Sequence, residues 1–279
     1  MTRVIEFLML VSLFSVAEGC GTSIPLGHEQ DAAAHDSSPQ KTRVLESGSP
    51  DPVPMSQRES AAVEALRERG AEIDLDESGH ARIVELSNSS ATNDDLKLLG
   101  RLARLEAVDI TGGKITDTGL VHFKQLQGLQ RLYLNDLPVT SDALKNLSHL
   151  KKLDAISLRG TKVDDEAVVH LKKLSQLNVL NLAKTHITNE ALKGLKGLKN
   201  LGTLVLADTA VTGEGFTHLQ PLRNLRTLNV DGCKDIDGHL LKLSELPELR
   251  MLYVHGCTVS EEEVEKLTDR NGRLAVFGD

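Results

Sequence analysis

Residues 177–200, LNVLNLAKTHITNEALKGLKGLKN, hold two hydrophobic periods in a span of 24. Leu177, Leu180 and Leu182, at positions 1, 4 and 6 of the span, show the alternation of a short strand. After Ile187 at position 11, Leu192, Leu195 and Leu198 step by three, as residues on one face of a helix do. Moving the window by 24 returns the pattern. Downstream the same slots hold Leu201, Leu204, Leu206, Val211, Phe216, Leu219 and Leu222; upstream they hold Leu153, Ile156, Leu158, Val163, Val168, Leu171 and Leu174. A unit this small cannot bury its own apolar face, so successive copies must stack into a solenoid with one continuous core.

Eight such windows run over residues 81–272, starting at Ala81, Leu105, Leu129, Leu153, Leu177, Leu201, Leu225 and Leu249. The first is degenerate, with Ala81 and Ala91 in apolar slots. In the seventh, Asp235 is an extra residue that places Ile236 one step late, and the phase recovers at Leu243 and Leu246. The pattern resembles the leucine-rich repeat family, L-x-x-L-x-L-x-x-[TCN]-x-[IV] followed by a Thr-Asp-like turn and a helix. Within that family it is most similar to bacterial 24-residue, ribonuclease-inhibitor-like repeats. The resemblance implies an α/β fold: a right-handed solenoid with a parallel sheet on the concave side and helices on the convex side. Position 9, usually Asn in the family, holds Thr161, Thr185, Thr209, Cys233 and Cys257 here. A polar side chain at that point turns inward where the strand ends and satisfies backbone groups of the loop. Position 12 (Thr116, Thr140, Asp164, Thr188, Thr212, Ser260) is expected to cap the helices. Small residues at position 15, such as Gly119, Ala143 and Ala167, let each helix approach its strand.

The flanks read differently. Residues 273–279, RLAVFGD, are expected to close the far end with Leu274, Val276 and Phe277. At the near end, residues 56–80 read as a helix and hairpin that cover the first layer. Ser56-x-x-Glu59 has the form of a capping box, Val63 and Leu66 give an apolar face, and Gly70 is a stop. Residues 21–55 are rich in Pro and Ser and keep no apolar period, so they read as a disordered tether in which His28 and His35 are solvated. Residues 1–20, MTRVIEFLMLVSLFSVAEGC, read as an export signal: Arg3 is followed by an apolar run of 11 residues from Phe7 to Ala17. That run is shorter than the roughly 20 residues needed to span a bilayer. VAEGC resembles a bacterial lipobox, with departures at Ala17 and Glu18, and implies lipidation of Cys20. The expectation is an exported envelope protein anchored to a membrane through Cys20.

Composition and motifs narrow the function. A net charge of −8 over 279 residues argues against a nucleic-acid partner, which calls for a basic face. No Gly-rich phosphate loop, H-E-x-x-H pair or G-x-S-x-G elbow appears, so the reading is a non-enzyme without cofactor or metal. His122, His170 and His218 recur in alternate repeats, roughly 10 Å apart, too far to share an ion. Cys233 and Cys257 share position 9 of adjacent repeats, roughly 5 Å apart and within disulfide reach. Free thiols are the favoured reading, because Asp235 disturbs the alignment. The strands then offer positions 5 and 7 on the concave side. Position 5 brings Asp109, Tyr133, Asn181, Asn229 and Tyr253; position 7 brings Asn135, Arg159, Asp231 and His255. Both tyrosines of the chain fall at position 5, and tyrosine is enriched at interfaces. These nine residues are the expected contact surface for a protein, or for a polymer such as glycan. The lysines of the helical side, Lys151 and Lys172 among them, read as a solvated face. Two other readings stand beside this one: a substrate adaptor of the F-box-like repeat type, suggested by Gly232-Cys233 and Gly256-Cys257, and a structural envelope protein.

Overall fold

The computed structural model describes residues 55–86 and 90–279. The expected leader, Cys20, the tether up to residue 54 and Ser87 lie outside the described residues.

Ten strands form one sheet in chain order. They are β1 (Glu72–Leu75), β2 (Ala81–Glu85), β3 (Ala107–Asp109), β4 (Arg131–Tyr133), β5 (Ala155–Ser157), β6 (Val179–Asn181), β7 (Thr203–Val205), β8 (Thr227–Asn229), β9 (Met251–Tyr253) and β10 (Ala275–Phe277). β1 pairs antiparallel with β2, and every later pairing is parallel. The register repeats the sequence period. Val108, Leu132, Ile156, Leu180, Leu204, Leu228 and Leu252, the residues at position 4, are paired in a row, and all are fully buried. One hydrophobic core therefore runs the length of the stack. β10 keeps the same register, with Val276 against Leu252, so the sheet continues one strand past the eighth window.

The connecting elements are less uniform than the sequence pattern. α1 (Gln57–Glu68) precedes the sheet; α2 (Asn93–Leu99), α3 (Ala167–Leu171), α4 (Asn189–Leu195) and α5 (Glu261–Arg270) are α-helical. The other four windows carry 3₁₀ helices instead, at Gly119–Gln125, Ser141–Asn146, Gly213–Leu219 and Leu240–Glu245. The step of three between core residues explains how this works. A 3₁₀ helix has three residues per turn, so Phe216 and Leu219 stand one above the other and both reach the core.

Position 8 is where each strand turns into its loop, and it requires a left-handed backbone. Gly112, Asp136, Gly160, Lys184, Asp208, Gly232 and Gly256 all have φ between 54° and 75°. Glycine meets this demand at no steric cost, while the three other side chains tolerate it. The extra Asp235 is accommodated in the same way, at φ 52°, which lets Ile236 still reach the core.

Neighbouring repeats are also joined by side chains. The residue at position 13 accepts the backbone N–H of position 12 in the next repeat. Asp117 takes Thr140 N–H at 2.8 Å and its hydroxyl at 2.6 Å; Asp165 takes Thr188 N–H at 2.8 Å and its hydroxyl at 2.7 Å. Asn93, Ser141, Asn189 and Asp237 accept the equivalent N–H groups of Thr116, Asp164, Thr212 and Ser260 at 2.8–3.0 Å. At the junction of the sixth and seventh repeats position 13 is Gly213, and a Cβ there would stand 2.4 Å from the Cβ of His239. Its N–H instead donates to the carbonyl of the inserted Asp235 at 3.0 Å.

This ladder modifies the expected capping. Thr140, Thr188, Thr212 and Ser260 stand at N-cap positions, but of these four only Thr188 caps with its side chain, Oγ1 accepting Glu190 N–H at 3.2 Å. Thr116 and Asp164 do not stand at such positions, because their helices begin two residues later, behind Thr118 and Glu166. The motif at Ser56 is likewise half of a capping box. Ser56 Oγ accepts Glu59 N–H at 3.2 Å, but the Glu59 carboxylate turns into the interior, where His80 Nδ1 meets both its oxygens at 2.9 and 3.0 Å. Both residues are buried. That contact fastens α1 to the hairpin while Ala62, Val63 and Leu66 enter the core.

Candidate functional site

The expected contact residues do lie along the strands and the turns that follow them, but the structure sorts them into two groups. Tyr133, Asn135, Asn181, Asn229 and Asp231 are buried, and Asp109 and Arg159 are partly accessible but engaged with their neighbours. Asn181 Oδ1 accepts Ala183 N–H at 2.9 Å, and Asn229 Oδ1 accepts Asp231 N–H at 2.8 Å, so both asparagines bind the backbone two residues on, where the strand ends. Asn135 Oδ1 accepts the Ser157 hydroxyl at 2.6 Å. Arg159 Nη1 donates to Asp136 at 3.0 Å, and Asp109 accepts the Thr111 hydroxyl at 2.7 Å. Asp231 accepts from Asn229 Nδ2 at 2.9 Å and from His255 N–H at 2.6 Å, and lies 3.1 Å from His255 Nδ1.

Tyr133 departs furthest from the sequence reading, which expected an exposed anchor: only 3% of it is accessible. Alternation assigns a side chain to a face but not its access to water. Tyr133 lies between its register partners Asp109 and Ser157, with Arg131 and Asn135 two residues away along the chain. On the inside of a curved sheet such neighbours converge. Burial pushes its phenol up to about 12. Ala183, Val205 and Ala207, also at positions 5 and 7, form a small buried apolar cluster distinct from the main core.

The second group lies at the far end of the sheet. Tyr253 is partly accessible and His255 is exposed. The Tyr253 ring stacks on Phe277 with centroids 4.9 Å apart and an interplanar angle of 17°, and on the His255 ring at 6.4 Å. Phe277 is 41% exposed, so it does not close the core as the sequence reading expected. It belongs to the face instead. The signal was in the spacing, because Phe277 follows Tyr253 by one full repeat and pairs with it in register. Tyr253, His255 and Phe277 therefore make one aromatic surface, supported from beneath by the Asn229–Asp231 network.

Position 9 is structural. The hydroxyls of Thr161, Thr185 and Thr209 donate to the carbonyls of Leu158, Leu182 and Leu206 at 2.5–2.6 Å. Cys233 and Cys257 are free thiols that point into the same ladder, with Sγ 3.2 Å from the carbonyls of Leu206 and Val230. Burial raises both thiols, Cys257 to about 11, so neither is a reactive thiolate at neutral pH. Among the described residues no group of His, Cys, Asp and Glu side chains could hold a metal ion, and no helix is long and apolar enough to cross a membrane.

No protein-family model and no curated protein matches the chain. Solved structures do. Internalin C2 from Listeria monocytogenes superposes with a TM-score of 0.57 at 24% identity, covering 80% of this chain and 93% of that one. The plant peptide hormone receptor RGFR1, solved in complex with RGF2, reaches a TM-score of 0.46 at 14% identity, over 74% of this chain and 36% of the receptor. The chain has the leucine-rich repeat solenoid fold, with a mixed α/β architecture as the repeat implied.

Proposed function

We propose that this chain is a non-catalytic binding module, exported and held at the cell envelope by a lipid on Cys20, whose sheet face receives a protein or a polymer such as glycan. The observation that carries the binding surface is the aromatic group Tyr253, His255 and Phe277, accessible at one end of that face. Large rigid side chains supply most of the energy of an interface, while their smaller neighbours mainly exclude water. The hydrogen-bonded asparagines and Asp231 fix the shape beneath them. The charge of −8 and the lack of any catalytic motif support binding without chemistry.

Tyr253→Ala and Phe277→Ala are expected to weaken partner binding by about 1–2 kcal/mol each. Thermal unfolding should change little, since neither side chain is part of the buried core. Unaltered affinity in both variants would remove the sheet end from consideration. The anchor is tested separately. Cys20→Ser should move the protein from the membrane fraction to the soluble one, and a wild-type protein recovered in the cytoplasm with Met1 intact would contradict both export and lipidation.

A further inference from the structure

The five residues that close each of the first six repeats, 100–104, 124–128, 148–152, 172–176, 196–200 and 220–224, contain ten lysines or arginines and no aspartate or glutamate. The chain as a whole has a net charge of −8, so this is a local reversal of sign. These segments bring the chain from the helical side back into the strands, and stacking lines them up along one rim of the sheet. In the middle of that rim is a recess of about 630 Å³.

The recess is polar. Position 2 contributes Gln130, Asp154 and Asn178; the repeat ends contribute Lys152, Gln176 and Asn200, with Lys151 beside them. All seven are exposed. The backbone sets their spacing: Asp154 N–H donates to the Gln130 carbonyl at 2.9 Å, Asn178 N–H to that of Asp154 at 2.7 Å, and Gly202 N–H to that of Asn178 at 2.8 Å. Lys151 Nζ bridges the carbonyls of Ser148 and Lys173 at 2.8 and 3.0 Å, which ties two repeats together at the wall of the recess. Next along the rim, position 2 is Gly202, and a Cβ there would come within 2.4 Å of Asn178 Oδ1. The glycine leaves the Asn178 amide its place.

We propose that this rim recess binds a linear acidic polysaccharide of the uronate type. Side-chain amides offer one donor pair and one acceptor each, the combination that suits hydroxyl groups. Lys152 and its basic neighbours supply charge for carboxylates. Asp154 accepts hydroxyl hydrogens but repels a densely charged polyanion, which favours a chain that alternates hydroxyls with single negative charges. Gln130, Asp154 and Asn178 stand at successive strand spacings of roughly 4.8 Å, so an extended polymer laid across these three strands meets a hydrogen-bonding side chain at each step. A membrane surface fits less well. The exposed large apolar residues Val121, Val169 and Phe277 all lie outside these segments, so the rim offers no side chain to insert into a bilayer.

The test is calorimetric titration of the full chain with oligogalacturonate, with polyphosphate and vesicles containing phosphatidylglycerol as comparison probes. Saturable binding of the uronate is expected, weaker for polyphosphate. Lys152→Glu should weaken it by at least about tenfold, and the charge-neutral Gln176→Ala and Asn178→Ala by up to about tenfold each. All three side chains are exposed, so unfolding midpoints should not move. Absence of saturable uronate binding overturns the proposal. So does uronate binding that survives the amide changes, or polyphosphate binding of equal strength, since either means diffuse charge attraction. Vesicle binding lost in Lys152→Glu, with no uronate binding, assigns the rim to a membrane and also overturns it. This surface is separate from Tyr253 and Phe277, and either can fail without the other.

Discussion

Leu180→Ala and Leu204→Ala are each expected to destabilise the fold by about 2–5 kcal/mol. Both leucines are completely buried, and they are register partners on β6 and β7, so each truncation leaves a cavity in adjacent layers of the same core. In a stack where each repeat contacts only its neighbours, the loss does not stay local, because a weakened layer also removes the interface that supports the next. Urea unfolding should show the midpoint fall with little change in slope if the stack remains one cooperative unit. A loss below about 1 kcal/mol at both positions would contradict the register on which the architecture rests.

The second large effect is expected at the other end of the chain. His80→Ala should cost about 3 kcal/mol, because it leaves the Glu59 carboxylate buried without its partner. His80 Nδ1 stands 2.9 and 3.0 Å from the two carboxylate oxygens, and both residues are under one tenth exposed. Since this contact joins α1 to the hairpin that pairs with β2, the damage should begin at the first repeat. Hydrogen exchange in His80→Ala should accelerate in α1, β1 and β2 before it does in β6 to β8. A His80→Ala variant as stable as the wild type, with α1 equally protected, would show that α1 is held by its apolar face alone.

These two sites also mark what could be read from the sequence. Leu180 and Leu204 were legible because seven apolar slots recur in phase over eight windows, and only a stacked repeat satisfies that constraint. The same period placed Cys233 and Cys257 in the position 9 ladder beside Thr209, where the structure has them. Glu59 was less legible. Its spacing from Ser56 matches a capping box, but the carboxylate binds His80, 21 residues on, and a local motif carries no information about a tertiary partner. The alternation also could not distinguish Tyr133 from Tyr253. Both occupy position 5 with a strand on either side, yet Tyr133 lies between Asp109 and Ser157 within the stack, whereas Tyr253 has only the terminal strand β10 beyond it and stacks on the exposed Phe277. The inter-repeat hydrogen bonds that Thr140 and Thr188 donate to Asp117 and Asp165 were in the sequence as a periodic pair of polar residues, but their pairing across 23 residues appears only once the repeats are stacked.

The most direct measurement places a photo-crosslinking amino acid at His255 and, in a second protein, at Val169. His255 is exposed beside Tyr253 at the end of the sheet face, and Val169 is 51% exposed on α3, on the helical side. Irradiation in cells should yield a discrete adduct from position 255 and none from 169, and Tyr253→Ala should diminish it. A discrete adduct from Val169, with none from His255, would place the binding surface on the helices and contradict the assignment to the sheet.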